Sequence, residues 1–188
     1  MEIIMKTRTR LNLGLVLLPA LVALAGFGAG VAAGLTCGGG PSCFGDNNPN
    51  TINGSNNGEH IYAYGGDDTV YGNNGADVVE AGTENDHVWG GNGADTIYGQ
   101  GSKDQDLVGG PDGDSIAAGA GNDPNVDGGD HGDPYVSGDE GADAVYGSGG
   151  QDAVIGTGDG SDADGLDGGG DYDTCYDGVG DTKINCEF

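Results

Sequence analysis

Twelve aspartates recur along the chain in near-regular phase: Asp68, Asp77, Asp86, Asp95, Asp104, Asp114, Asp123, Asp133, Asp143, Asp152, Asp164 and Asp173. Most neighbours are nine or ten residues apart. In the best copies glycines stand two, four and five residues before the aspartate, as in Gly90-Gly91-Asn92-Gly93-Ala94-Asp95. One aspartate in a turn is ordinarily a turn former. Glycine permits φ > 0 and close backbone approach, so a glycine turn ahead of each carboxylate aims carbonyl oxygens and the carboxylate at one point. Oxygen donors gathered in this way suit a hard divalent cation, which takes six to eight of them.

A repeating element must position these groups. With Gly90 as position 1, Asp95 is position 6 and Ile97 position 8, and the frame extends in both directions. Fourteen units tile residues 45–176 without a gap; ten have nine residues, three have ten and one has twelve. The first two, from Gly45 and Gly54, are weak copies that carry Asn50 and Glu59 at position 6. In the ten-residue units the extra residue falls between positions 6 and 8 each time, twice as proline, which reads as one kind of bulge. Position 8 runs Ile52, Ile61, Val70, Val79, Val88, Ile97, Leu107, Ile116, Val126, Val136, Val145, Val154, Leu166, Cys175. Positions 7 to 9 form a short strand, whose alternation turns position 8 inward and positions 7 and 9 outward. That core is one side chain per unit, thin for a chain so rich in glycine, and the residues predict a protein that folds only on binding metal. Units 81–89, 99–108, 128–137 and 168–176 carry Glu84, Ser102, His131 and Asp171 where glycine is expected, so their turns are expected to be distorted or to bind more weakly.

Charge points the same way. Lys6, Arg8 and Arg10, an apolar stretch from Leu11 to Ala25 and the small residues before Gly34 have the form of a secretory signal peptide over residues 1–33; an uncleaved anchor helix is the alternative. Beyond it stand 30 acidic residues and two basic ones, Lys103 and Lys183. This balance excludes nucleic acid as a partner. A compact fold of such charge repels itself unless cations sit within it.

The units resemble the glycine-rich nonapeptide GGxGxDxUx of RTX proteins, the haemolysin-type calcium-binding repeat, over 132 of 188 residues. The resemblance implies an all-β fold: a right-handed parallel β-roll, or β-solenoid, of about seven two-unit coils. It implies calcium between turns stacked on one side of the roll, hence between units two apart in sequence. On one side the ion-sharing pairs would be Asp77–Asp95, Asp95–Asp114, Asp114–Asp133, Asp133–Asp152 and Asp152–Asp173. On the other they would be Asp68–Asp86, Asp86–Asp104, Asp104–Asp123, Asp123–Asp143 and Asp143–Asp164, about ten ions in all. Gly72, Gly75, Gly90, Gly91, Gly93, Gly109, Gly110, Gly128, Gly129, Gly138, Gly141, Gly168 and Gly169 would shape the turns and supply carbonyls. Asn50 and Glu59 are doubtful members, the first uncharged and the second longer.

Residues 34–44 precede the array and 177–188 follow it. Export favours disulfides, and of three connectivities the local one, Cys37–Cys43 with Cys175–Cys186, fits the positions of the four cysteines. A bridge from Cys175 would fold the last residues over the open end of the roll as a cap, with Ile184 and Phe188 over the last core layer. No HExxH helix or nucleophile elbow is present, and His60, His87 and His131 stand in no recognisable arrangement with a nucleophile, so no enzyme activity is expected. A secreted calcium-binding protein, structural or at the cell surface, is the function expected. The alternative is an extracellular adhesin or carbohydrate-binding module that uses the outward aromatics Tyr62, Tyr71, Trp89, Tyr98, Tyr146 and Tyr176. No membrane partner is expected after leader cleavage.

Overall fold

The structure is a computed structural model and describes residues 33–156 and 162–187. Its described residues form seventeen strands and no helix. In chain order they are β1 (Ala33–Thr36), β2 (Ser42–Phe44), β3 (Asn50–Asn53), β4 (His60–Tyr62), β5 (Thr69–Asn74), β6 (Val78–Gly82), β7 (His87–Asn92), β8 (Thr96–Gly101) and β9 (Asp106–Pro111). There follow β10 (Ser115–Ala120), β11 (Val126–Asp130), β12 (Tyr135–Ser137), β13 (Ala144–Gly149), β14 (Ala153–Gly156), β15 (Gly165–Asp167), β16 (Thr174–Asp177) and β17 (Thr182–Ile184).

Successive strands alternate between two sheets. Odd-numbered strands form a nine-stranded sheet in sequence order, even-numbered strands an eight-stranded one, and all neighbours are parallel. This is the expected solenoid. It makes about eight turns where the repeat count predicts seven, because β1 and β2 add a coil ahead of the array, and β17 adds a last strand. Eight steps of ~4.7 Å make a rod of about 38 Å.

The two inward columns set the register. In one sheet Leu35, Ile52, Val70, Val88, Leu107, Val126, Val145, Leu166 and Lys183 are paired in turn. In the other the column is Cys43, Ile61, Val79, Ile97, Ile116, Val136, Val154 and Cys175. All thirteen aliphatic residues of position 8 are at most 1 % exposed. A one-residue slip would turn a whole column to solvent, so the ladder holds the register firmly. The bulges leave it undisturbed. The separation between stacked aspartates grows from 18 residues early in the chain to 21 late in it, while position 8 stays paired with position 8. Gln105, the extra residue before β9, donates its amide to Asp86 O at 2.9 Å, as position 7 does elsewhere, for example His87 to Asp68 O. Pro124 and Pro134 fill the same extra place, where a residue lies outside the ladder.

The ends are closed by the two local disulfides, Cys37–Cys43 and Cys175–Cys186. Cys43 and Cys175 are the first and last inward residues of the eight-stranded sheet, so each bridge plugs one end of the core. Ile184 does not cover the last layer as expected. The register gives the inward place in β17 to Lys183, and Ile184, one residue on, turns outward and is 58 % exposed. Phe188, the long insertion after Gly156 and the expected leader up to residue 32 lie outside the described residues. Ala33, the last residue of that leader, is the first of β1. Among the described residues no helix is long and apolar enough to cross a membrane.

Candidate metal centre

Between strands the chain turns a corner, and every full repeat whose corner lies among the described residues turns it in the same way. Positions 2 and 4 both have positive φ, as at Asn73 and Gly75, Gly91 and Gly93, or Gly129 and His131. Glycine does this at no steric cost, and here its φ ranges from 94° at Gly169 to 155° at Gly121. The residues expected to distort their turns do not. Glu84, Ser102, His131 and Asp171 take φ of 74° to 82° and keep the corner. Position 1 departs from expectation in the other direction. Gly72, Gly90, Gly109, Gly128, Gly138 and Gly168 lie outside the left-handed region. They are glycine because of close approach: a Cβ on Gly90 would stand 2.4 Å from Asp95 Oδ2 and 2.8 Å from Gly109 O. The corners at units 63, 81 and 118 accept a methyl there, and Ala63, Ala81 and Ala118 bury theirs in the core. The weak copies from Gly45 and Gly54 contain no left-handed residue.

Gly141 is the tightest point of this stacking. Its φ is 139°, and a Cβ there would lie 1.4 Å from Gly121 O in the preceding coil. Gly141→Val is therefore expected to destabilise the calcium-loaded protein by about 2 kcal/mol or more, since strain at an unsuitable φ adds to the collision. Guanidinium unfolding in saturating calcium measures this, and a midpoint equal to that of the wild type would contradict the stacking.

The corners bring together all ten expected aspartate pairs, in two columns. On one side the amides of Asp77, Asp95, Asp114, Asp133 and Asp152 donate to Oδ1 of the aspartate one coil later, over 2.7 to 3.0 Å. On the other side Asp68, Asp86, Asp104, Asp123 and Asp143 do the same over 2.8 to 2.9 Å. Two further members went unseen in the sequence. Asp164 donates to Asp181 Oδ1 at 3.0 Å and Asp173 to Glu187 Oε2 at 2.8 Å. The signal for the first was there: Asp181-Thr182 repeats Asp68-Thr69, Asp95-Thr96 and Asp173-Thr174.

One carboxylate oxygen is thus occupied by the backbone, and the other is not. Oδ2 of Asp68, Asp77, Asp86, Asp95, Asp104, Asp114, Asp123, Asp133, Asp152 and Asp173 is buried without a hydrogen-bond partner. Leaving a buried charged acceptor unsatisfied is costly, and a column of such atoms asks for a cation. Burial accordingly pushes these carboxyls up in the calcium-free fold. Asp104 reaches about 8, Asp86 and Asp114 about 7, and Asp95 and Asp123 about 6. Like charges one coil away add to the rise, and the backbone hydrogen bond opposes it.

The layer between corners 72–77 and 90–95 shows the donor set. Asp77 Oδ2 and Gly90 O lie 2.7 and 2.3 Å from where a Cβ of Gly72 would be. Asn73 O and Gly75 O lie 2.2 and 2.1 Å from the Cβ positions of Gly91 and Gly93. One carboxylate oxygen and three carbonyl oxygens of this layer therefore crowd spaces that only glycine leaves open. These are hard donors, and the residues present fit calcium. Among the described residues no three His, Cys, Asp or Glu side chains converge, so each layer relies on backbone oxygen. The doubtful end members are closed instead: Asn50 Oδ1 accepts from Asp46 N at 2.8 Å, and Glu59 accepts from the amide and hydroxyl of Ser55.

His60 and His87 lie on the sheet faces, while His131 stands in a corner, where its Nδ1 accepts from Asp112 N at 3.4 Å. His60 Nε2 meets Glu80 Oε1 at 2.9 Å on the eight-stranded sheet, and His87 Nδ1 meets Asp106 Oδ2 at 2.7 Å on the other. Outward aromatics stack along the rod, Tyr71 on Trp89 at 5.1 Å and Phe44 on Tyr62 at 5.3 Å.

The sequence matches the family model of the RTX calcium-binding nonapeptide repeat in four places, residues 44–79, 71–106, 101–123 and 127–160. No curated protein and no solved structure matches the chain. Since the repeat model spans more than half of the chain, the protein belongs to the RTX calcium-binding nonapeptide repeat family.

Proposed function

We propose that this protein is a secreted structural element, at the cell surface or in the surrounding matrix, whose rod shape is set by calcium. The observation that carries this is the pair of aspartate columns, in which the inner oxygens of the ten aspartates named above are orphaned. Bound calcium would supply the positive charge that those carboxylates lack. The chain's own part is to hold Oδ1 by a backbone amide, leave Oδ2 free for the ion and present corner carbonyls beside it. Ten ions would offset most of the excess of acidic over basic residues beyond the leader. Two disulfides suit an oxidising exterior, and the leader would take the chain there. Such a role needs no catalysis.

Adhesion through the outward aromatics is the weaker reading. A sugar stacks on an open ring face, but Tyr71, Trp89, Phe44 and Tyr62 cover one another, at interplanar angles of 12° and 6°. Calorimetric titration with calcium tests the favoured reading: saturation at about ten ions per chain, one for each aspartate pair, is expected. A diffuse polyanion would show weak uptake without a saturating number, which would end the proposal.

A further inference from the structure

The two ends of the roll are unlike. The inward column of the nine-stranded sheet holds eight aliphatic residues from Leu35 to Leu166, and its ninth and last member is Lys183. Its Nζ reaches Asp177 Oδ1 at 3.1 Å. Asp177 is the last residue of β16, so the ion pair runs from the last strand of one sheet to the last strand of the other. Residues 33–45, which build the opposite end, contain no charged side chain, and Leu35 takes the inward place there.

A parallel sheet edge carries unpaired amides and carbonyls that can template another strand. In a roll the matching strand is at hand, because β1 of a second copy has the register and the inward leucine to continue the column past β17. Such a junction is head-to-tail and does not close, so it would grow into a filament. We propose that Lys183 is a stop: its ammonium, placed in the inward column and tied to Asp177, blocks the addition of β1 of a second copy to the C-terminal edge. A further coil would bury that charge in a dry core layer, away from water. The same side chain with its charge in water costs the single chain nothing, since all of β17 is exposed. Natural sheets use inward charges on edge strands to this end, and solenoids need polar caps.

Size-exclusion chromatography with light scattering, on the calcium-saturated protein over a range of concentrations, tests the stop. The wild type and Lys183→Glu are expected to keep the single-chain mass throughout. Lys183→Val, and the more soluble Lys183→Thr, are expected to form multimers that grow with concentration, with unchanged calcium stoichiometry and circular dichroism. Adding Leu35→Lys to Lys183→Val is expected to restore the single-chain mass. The stop is overturned if both neutral variants fold normally and remain single chains, or if the wild type itself multimerises. Multimers that persist in the Leu35→Lys double variant overturn the head-to-tail junction.

Discussion

Stripping calcium with a chelator at neutral to mildly alkaline pH is expected to abolish the strand signal in far-ultraviolet circular dichroism, and returning calcium is expected to restore it. Two columns of carboxylates stand one above another, with like charges in successive coils raising one another's pKa. Against this the fold sets one buried aliphatic residue per unit and a backbone in which glycine is unusually costly to order. Metal binding and folding then become one process. Acid should partly substitute for calcium, and the sign follows from the direction of the shifts. Burial pushes Asp95 up to about 6 and Asp104 up to about 8, above the ordinary 3.8, so the calcium-free fold holds protons more tightly than the unfolded chain. Their contribution to stability is fully present below about pH 4 and is lost as pH rises through about 6 to 8. The calcium-free protein should therefore regain strand signal on acidification. Calcium, which needs the ionised carboxylates, should bind more weakly there and release protons as it binds at the acid pH where the calcium-free fold is populated, a release seen as a dependence of the binding heat on the buffer's own ionisation heat. A calcium-free chain fully folded at pH 8 would refute the claim that metal holds the roll together.

The array itself was plain in the sequence, and its flanks were not. Position 6 and position 8 could be read because each unit carries its own glycine corner, and the corner fixes which residues point in. Residues 33–44 and 178–187 lack that corner. Leu35, Cys43, Asp181 and Glu187 take ladder places because a neighbouring coil supplies the register, through pairings such as Leu35 with Ile52 and through the amides of Asp164 and Asp173. For Leu35, Cys43 and Glu187 no local pattern announces a place borrowed in this way; for Asp181 only the Asp-Thr pair does. Glu84 and Ser102 fall under the same heading: their corner is held by the coils above and below, so a residue with weak preference for positive φ is carried into it. The glycines of position 1 stand out in the sequence by identity, but their reason, the carboxylate pressed against the missing Cβ, exists only once the corner is closed. The disulfides were legible because their partners lie close in sequence on either side of an end strand.

The second large effect concerns a single aspartate in mid-column. Asp104 belongs to two layers, accepting the amide of Asp86 at 2.9 Å and donating its own to Asp123 at 2.8 Å, and it is among those whose inner oxygen is orphaned. If each ion is shared between successive coils, Asp104→Asn should remove two ions, not one, and lower the saturating number from about ten to about eight. The asparagine oxygen can still accept from Asp86, so the loss would report charge and donor power more than a broken backbone contact. Asp104→Ala removes that acceptor too and leaves the Asp86 amide buried without a partner, for a further cost of about 1–3 kcal/mol. Glu59→Ala makes the contrast. Glu59 sits at the end of the other column with its carboxylate already taken by Ser55, and no ion should be lost with it. Calorimetric stoichiometry on these variants separates shared layers from independent corners: a loss of one ion in Asp104→Asn would mean that each aspartate serves its own corner alone. An undiminished number would mean that the column is structural and the ions lie elsewhere. Sharing also explains why the columns run unbroken. In a chain of layers that hold their ions in common, one missing carboxylate weakens the coils on both sides of it, and a gap in mid-column would divide the rod in two.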